Sequence, residues 1–439
     1  MSDSNQVADN FESARALFVD GVQDFEAGRC AAADEKFAAS LALLPGRVST
    51  MNNLAATRIK LGRTSEALAL LDQALAAEPE NIDAWSHRGV ALSNLERHEE
   101  ALACFSHVLQ AEPARTLALF HRGIALNALR RHDDALLAFD EFLRSQPQHA
   151  DAWFRHGQTL QSLDRHDDAL ASYDKALAHE PGMAPAWIHR GSILKDLSRL
   201  DEATVAFEQA IAHGGDPELN GYFLAAVAGR PAPNTAPRQY VQGLFDDYAA
   251  GFEAHLVGML KYQAHTVLVE NLRALGERRF RCALDLGCGT GLCGPLIRPL
   301  AERLDGIDLS PNMLEQARAL ATYDALIESD IAEYLRATDK RYDLVVAADV
   351  FIYVGDLEPV FAGVRRVMEP GGVFCFSAEL PERGEDLELK PTLRYGQSER
   401  YVRELAMRHG FEIMKLVHQP IREDRQQPVA GYYAYLSRT

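Results

Sequence analysis

The chain has 439 residues, 47% apolar and 25% charged, with 63 acidic against 45 basic side chains and a net charge of −18. Its length implies more than one domain, and its composition is that of an ordinary globular protein. An acidic surface without a basic stripe repels phosphate backbones, which argues against nucleic acid as a partner.

No apolar run approaches the roughly 18 residues of a membrane span, so no membrane association is expected. The start "MSDSNQVADNF" lacks the basic and apolar segments of an export signal. The six cysteines are scattered, without a CxxC pair or zinc spacing. They read as reduced thiols of a cytoplasmic protein with no metal site.

The first half is periodic. With Trp153 at position 4 of a 34-residue unit, Gly157 falls at 8, Leu160 at 11, Ala169 at 20, Tyr173 at 24, Ala176 at 27 and Pro181 at 32. Steps of 34 recover Trp85, Gly89, Leu92, Ala101, Phe105 and Pro113, then Leu119, Gly123, Leu126, Ala135, Phe139 and Pro147, then Trp187, Gly191, Leu194, Ala203 and Phe207. Weaker copies lie upstream, marked by Gly21, Ala33, Phe37 and Pro45 and by Ala67, Ala74 and Pro79. This is the tetratricopeptide pattern, in six units over residues 14–217. Each unit is a helical hairpin unable to bury its own apolar face, so stacking makes a solenoid with a concave wall. "DPELNGYFLAAVAG" supplies a further helix, 218–229, to cap the open end.

Two histidine series recur. His98, His132 and His166 stand one repeat apart on successive turns, a spacing that reads as surface rather than metal ligation. Position 6 carries Asn53, His87, His121, Arg155 and His189. In tetratricopeptide arrays it lies near the inner wall, where such a ladder would meet the backbone of a bound protein or peptide. Solvated polar side chains are the plainer reading.

"GRPAPNTAPRQ", with three prolines, breaks the period and marks a linker at 230–239. Beyond it, residues 240–439 open with amphipathic helices and then alternate strand and helix, as in a doubly wound sheet. The strands are expected at "RCALDLG", "LDGIDLS", "DALIESD", "YDLVVAADV" and "GGVFCFSAE". "EIMKLVHQPI" and "AGYYAYLSR" follow as a closing antiparallel hairpin.

"LDLGCGTGLCG" contains both GxGxG and GxGxxG, so the glycines alone admit a nicotinamide dinucleotide as well as S-adenosylmethionine. Asp308 stands 21 residues after Gly287 and satisfies either reading. The nicotinamide reading leaves Asp285, "DLSPNML", "SD" and the closing hairpin unexplained.

"DLGCGTG" resembles motif I of class I S-adenosylmethionine-dependent methyltransferases. The two halves together resemble bacterial methyltransferases carrying tetratricopeptide repeats. The resemblance implies an all-α solenoid followed by a Rossmann-like α/β domain, with S-adenosylmethionine as cofactor. It places Asp285, Gly287, Cys288, Gly289 and Gly291 in the cofactor loop and Asp308 on the ribose, with Leu309 beside it. It puts Met313, Asp330 and Ile331 around the adenine. In related domains the N-terminal helix folds over the cofactor, which makes Tyr248, Phe252 and Tyr262 lid residues. The same aromatics also suit the buried face of an amphipathic helix. Members of the group often carry "RYxHS", where this chain has "RYGQS", with Gln397 in place of histidine.

An activated methyl donor leaves the protein chiefly to align an acceptor and exclude water. Asp349 and Tyr353, after the fourth strand, are the candidate catalytic residues, with Tyr395 and Gln397 in the acceptor wall. Asp349 could instead only hold its loop. No "NPPY" tetrad, Pro-Cys nucleophile or catechol-type carboxylate set is present. Three functions fit: a methyltransferase whose repeats recruit a protein partner or substrate; a small-molecule O- or N-methyltransferase whose repeats serve assembly; and a non-catalytic, cofactor-binding scaffold.

Overall fold

The computed structural model describes residues 2–248, 262–424 and 427–439. It divides into two compact units, one to Ile193 and the other from Leu194.

The first unit is built of helices in antiparallel succession. They are α1 (Ser2–Glu26), α2 (Cys30–Leu43), α3 (Val48–Lys60), α4 (Thr64–Ala77), α5 (Ile82–Asn94), α6 (His98–Ala111), α7 (Thr116–Ala128), α8 (His132–Ser145), α9 (Ala150–Ser162), α10 (His166–His179) and the greater part of α11 (Ala184–Asp196). The hairpins close by a size match. Gly21, Gly89, Gly123 and Gly157 lie under the rings of Phe37, Phe105, Phe139 and Tyr173, where a Cβ would come within 2.6–2.8 Å of ring carbons. In the repeat where alanine, Ala55, takes the glycine's place, the smaller Leu71 takes the ring's, and both are fully buried.

Successive hairpins are clasped by tryptophan. The indoles of Trp85, Trp153 and Trp187 donate to the carbonyls of Pro79, Pro147 and Pro181 at 2.8, 2.8 and 2.9 Å. His98, His132 and His166 each occupy the first position of a repeat's second helix. Of the position-6 side chains, Asn53 and Arg155 bond within their own helices, whereas His121 and His189 are engaged between hairpins. His121 stacks on Phe105 with ring centroids 5.7 Å apart, and His189 lies 3.1 Å from Gln161 Oε1.

The second unit begins with α12 (Leu200–Ala212) and α13 (Pro217–Ala228), followed by α14 (Arg238–Tyr248) and α15 (Ala264–Arg273). The strands and helices then alternate: β1 (Phe280–Leu286), α16 (Gly294–Ile297), β2 (Ala301–Asp308), α17 (Pro311–Ala319), β3 (Ala325–Glu328), α18 (Ile331–Ala337), β4 (Tyr342–Ala347), α19 (Glu358–Val367) and β5 (Met368–Glu379). Two short strands, β6 (Leu387–Leu389) and β7 (Tyr395–Gln397), precede α20 (Glu399–Arg408) and β8 (Phe411–His418). A small ladder of β9 (Glu423–Asp424) and β10 (Gln427–Pro428) leads into β11 (Gly431–Arg438).

The main sheet runs β3-β2-β1-β4-β5-β11-β8. It is parallel from β3 to β5 and antiparallel at β11 and β8. Side chains alternate between two buried faces. Leu284, Val345, Phe374 and Ala434 pack on one with α19 and α20, and Ala283, Val346, Cys375 and Tyr435 on the other with α15. The strand order reverses between β1 and β4, and α/β sheets form their ligand crevice beyond the carboxyl ends of strands at such a point.

The division of the chain differs from the one the 34-residue period implies. The extra helix α13 packs on α12, with Phe207 and Phe223 rings 5.2 Å apart, but its opposite side enters the α/β unit. Tyr222, Ala225 and Ala226 share a buried cluster with Leu389, Leu393 and Tyr395. Apolar burial there ties the last repeat helix to the sheet domain.

Candidate functional site

A cavity of about 430 Å³ opens at the strand-order reversal, within the roughly 300–1,000 Å³ usual for small-ligand sites. β1 ends in Asp285 and Leu286, and the chain turns back through Gly287 (φ +63°) and Gly291 (φ +94°), left-handed conformations that favour glycine. Gly287 also lies against Val350, where a Cβ would come within 2.7 Å of a methyl group. At Gly289 a Cβ would meet no atom of the described residues within 4 Å, so among them this part of the turn faces open space.

The loop is held from both sides. Asp308, at the end of β2, accepts from the Gly289 amide at 2.8 Å and the Ser310 amide at 2.9 Å. Burial raises its pKa, opposed by those amide bonds. Asp285 is 1% exposed and accepts from the Tyr323 hydroxyl at 2.7 Å. Burial pushes its pKa up to about 7, against the lowering effect of Tyr323. The Thr290 hydroxyl, in the same turn, is buried and has no hydrogen-bond partner among the described residues.

Of the residues singled out in sequence, Asp285, Gly287, Cys288, Gly289, Asp308, Leu309, Asp330, Ile331, Asp349, Tyr353 and Tyr262 line this one cavity. Burial drives the Cys288 thiol far up in pKa. Asp330 also caps α18, accepting from the Glu333 amide at 3.0 Å. Tyr262 stacks on His265 at 5.2 Å, and both face the cavity. Gly291 and Gly294 do not line it; they pack against Tyr323, with Leu320 beside the first and Thr322 beside the second. The third glycine of GxGxxG therefore serves close packing here.

Besides Gly291, three expected positions lie elsewhere. Met313 is 1% exposed and shares the buried face of α17 with Leu314 and Ala317, because its helical phase turns it inward. Tyr395 is fully buried, its hydroxyl donating to Pro233 O at 2.7 Å. Gln397 is fully buried as well, its amide donating to Phe351 O at 2.9 Å and Val354 O at 2.8 Å. It clamps the loop after β4 from behind, and its side chain does not line the cavity. The side chain of Tyr248 and all of Phe252 lie outside the described residues.

The structure adds residues that the motifs did not mark. Arg422, 3% exposed, comes from the segment after β8 and reaches the cavity. Its Nη1 lies 2.8 and 2.9 Å from the two carboxylate oxygens of Asp349, while Nη2 pairs with Glu379. Lys390 completes this buried network, 3.1 Å from Glu379. Burial raises the pKa of Asp349 and Arg422 opposes it; at Glu379 the cations outweigh burial and the pKa falls. Arg422 stands within "REDRQQPVAGYYAYL", but nothing in its local pattern says which carboxylates it meets. Thr235, Ala236, Arg238 and Glu218 also line the cavity from outside the sheet.

Residues 284–376 match the family model of a methyltransferase domain. Residues 58–122, 120–160 and 154–218 match models of tetratricopeptide repeats. This chain joins tetratricopeptide repeats to a methyltransferase domain. S-adenosylmethionine is the cofactor of this class of domain.

A malonyl-[acyl-carrier protein] O-methyltransferase of Pseudescherichia vulneris is 32% identical over 149 residues, 33% of this chain and 57% of the relative. The bifunctional biotin-biosynthesis protein of Bordetella avium is 33% identical over 141 residues, 31% of this chain and 29% of its own length. The chain thus spans about half or less of these curated relatives. Among solved structures, the magnesium protoporphyrin IX methyltransferase of Synechocystis PCC 6803 with bound S-adenosylhomocysteine is 19% identical, covering 46% of this chain and 99% of that one at a TM-score of 0.37. A tetratricopeptide repeat protein of Parabacteroides merdae is 20% identical and covers 48% of this chain and 84% of that one at a TM-score of 0.40. No helix among the described residues is long and apolar enough to cross a membrane.

Proposed function

We propose that this chain transfers a methyl group from S-adenosylmethionine to an oxygen or nitrogen of an acceptor held beside Asp349 and Tyr353, and that its repeats recruit the protein which is, or brings, that acceptor. One observation carries the reading: the glycine turn, Asp285 and Asp308 share a single cavity with Asp349, Tyr353 and Arg422.

The residues present fit the cofactor. The space at Gly289, the carboxylate of Asp308 and the Thr290 hydroxyl, which meets no partner among the described residues, offer a cradle with polar groups for a ribose and an amino-acid tail. Asp285, Cys288 and Leu309 would continue that cradle, and Asp330 and Ile331 would border the adenine. Gly287 and Gly291 shape the turn from beneath. When bound, S-adenosylmethionine supplies a methyl group already activated by its sulfonium.

The protein's own residues then have three tasks. Tyr262 and Tyr353 wall the cavity and exclude water. Arg422 fixes the carboxylate of Asp349, so that it orients a polar group of the acceptor. An acceptor already ionised needs no base; a protonated one can pass its proton to a carboxylate oxygen of Asp349, whose proton affinity burial raises. The curated relative's name as an O-methyltransferase favours oxygen over nitrogen as the reading extended to this chain.

Calorimetric titration with S-adenosylhomocysteine, S-adenosylmethionine and NAD tests this. Micromolar binding of the first two without the third is expected. Binding of NAD alone overturns the reading, and binding of none brings forward a non-catalytic scaffold. A small-molecule methyltransferase whose repeats serve only assembly differs in its acceptor, and labelled methyl transfer to small against macromolecular fractions separates the two.

A further inference from the structure

The proline-rich segment between α13 and α14 is bonded to the loop that follows β4. The Ala236 amide donates to Tyr353 O at 3.0 Å, and the Thr235 hydroxyl donates to the same oxygen at 3.2 Å. In the other direction, the Asp356 amide donates to Asn234 O at 2.8 Å, and Thr235 pairs with Val354 in an antiparallel bridge. Prolines 231, 233 and 237 pre-set an extended backbone around this pairing and limit what must be ordered to form it.

Both ends of the segment are anchored. The Tyr395 hydroxyl donates to Pro233 O, and the Tyr222 hydroxyl, on α13, donates to Leu393 O at 2.6 Å. The Tyr222 ring packs 5.5 Å from that of Tyr240 and 6.2 Å from that of Tyr395. Arg230 pairs with Glu208 of α12. Gly355 makes the close approach possible, since a Cβ there would lie 2.6 Å from the Tyr395 ring and 3.0 Å from Asn234 O. Thr235 and Ala236 themselves line the cavity, as do Glu218 and Arg238 on either side of the segment.

We propose that residues 234–236 are a splint and wall of the acceptor site: they hold the loop that carries Asp349, Val350 and Tyr353, and they give the acceptor part of its binding surface. Thr235 and Tyr222 are positioning residues, acting through that loop. Because Val350 packs on Gly287, the splint also fixes the cofactor turn. The acceptor site thus includes a segment that the family match to residues 284–376 does not reach. The link to methyl transfer rests on the function proposed above; the splint itself does not.

The test is amide hydrogen exchange on the full chain, comparing Gly355→Ala and the milder Tyr395→Phe with the parent. Exchange is expected to rise together in 232–236 and 351–357, more in the first variant, with helices α3–α10 unchanged. S-adenosylhomocysteine affinity should fall about 3- to 10-fold in Gly355→Ala. Rise in one segment alone overturns the splint, as does a rise in both with affinity held at the parent's value. Failure of the parent to bind S-adenosylhomocysteine overturns the cofactor assignment instead, and the exchange result still decides the splint.

Discussion

Arg422 presents one nitrogen, Nη1, to both carboxylate oxygens of Asp349, at 2.8 and 2.9 Å, while its other terminal nitrogen pairs with Glu379. All three side chains are largely or wholly out of solvent, with side-chain exposures of 1%, 13% and 2%. Removing the cation would take from Asp349 its buried ion-pair partner and leave Glu379 to Lys390 alone. Arg422→Met is therefore expected to cost about 3–5 kcal/mol in denaturant unfolding. The double variant Arg422→Met/Asp349→Asn should recover part of it, and no recovery would mean that the two do not form a unit.

Asp308→Asn should weaken S-adenosylhomocysteine binding at least tenfold, which is about 1.4 kcal/mol. The neutral amide keeps a single acceptor oxygen, so it can hold only one of the Gly289 and Ser310 amides, and stability should fall by about 1–3 kcal/mol for the donor left without a partner. Calorimetry and thermal unfolding on the same sample decide it; unchanged affinity would remove Asp308 from the cofactor site.

Asp285 titrates near pH 7 in the folded protein against an ordinary value of 3.8. Between those two values the folded state keeps a proton that the unfolded chain has lost, so this group's contribution to stability is full below about pH 4 and is lost by about pH 7. If Asp285 receives the cationic amino group of the cofactor, affinity should instead climb between pH 6 and 8. Asp285→Asn should flatten that climb in calorimetric titrations.

The hairpin size match can be swapped between repeats. Gly157→Ala should destabilise the array by about 1–3 kcal/mol, because its Cβ falls 2.6 Å from the Tyr173 ring. Adding Tyr173→Leu reproduces the Ala55–Leu71 pair and should return part of that loss. A double-mutant cycle showing no coupling would contradict this account.

Burial lowers the pKa of His87, His121 and His189, with Asp83 and Asp151 opposing it at the first two. A histidine held neutral stabilises fully above its unfolded pKa of about 6.5 and loses that contribution as pH falls below it. Helix content of the repeats should therefore melt at lower temperature from pH 6.5 downward, followed by circular dichroism. Replacing all three with glutamine should reduce the slope.

The sequence by itself determined what depends on local pattern. A 34-residue period requires neighbouring hairpins to bury one another. Strand-helix alternation with a closing hairpin specifies the sheet, and glycines at 287 and 291 with acids at 285 and 308 mark the turn at its edge. Those features act over a few residues, or by strict repetition, so they can be read along the chain. Tertiary structure alone decided which side chains share the cavity. Met313 follows its helix into the core, Tyr395 and Gln397 turn their polar atoms to backbone carbonyls, and Arg422 arrives from 73 residues beyond Asp349. It also decided that a proline-rich stretch, in sequence a plain boundary, pairs with the loop after β4. Where a side chain points after a loop is set by partners distant along the chain, and burial makes those partners complete one another's hydrogen bonds and charge.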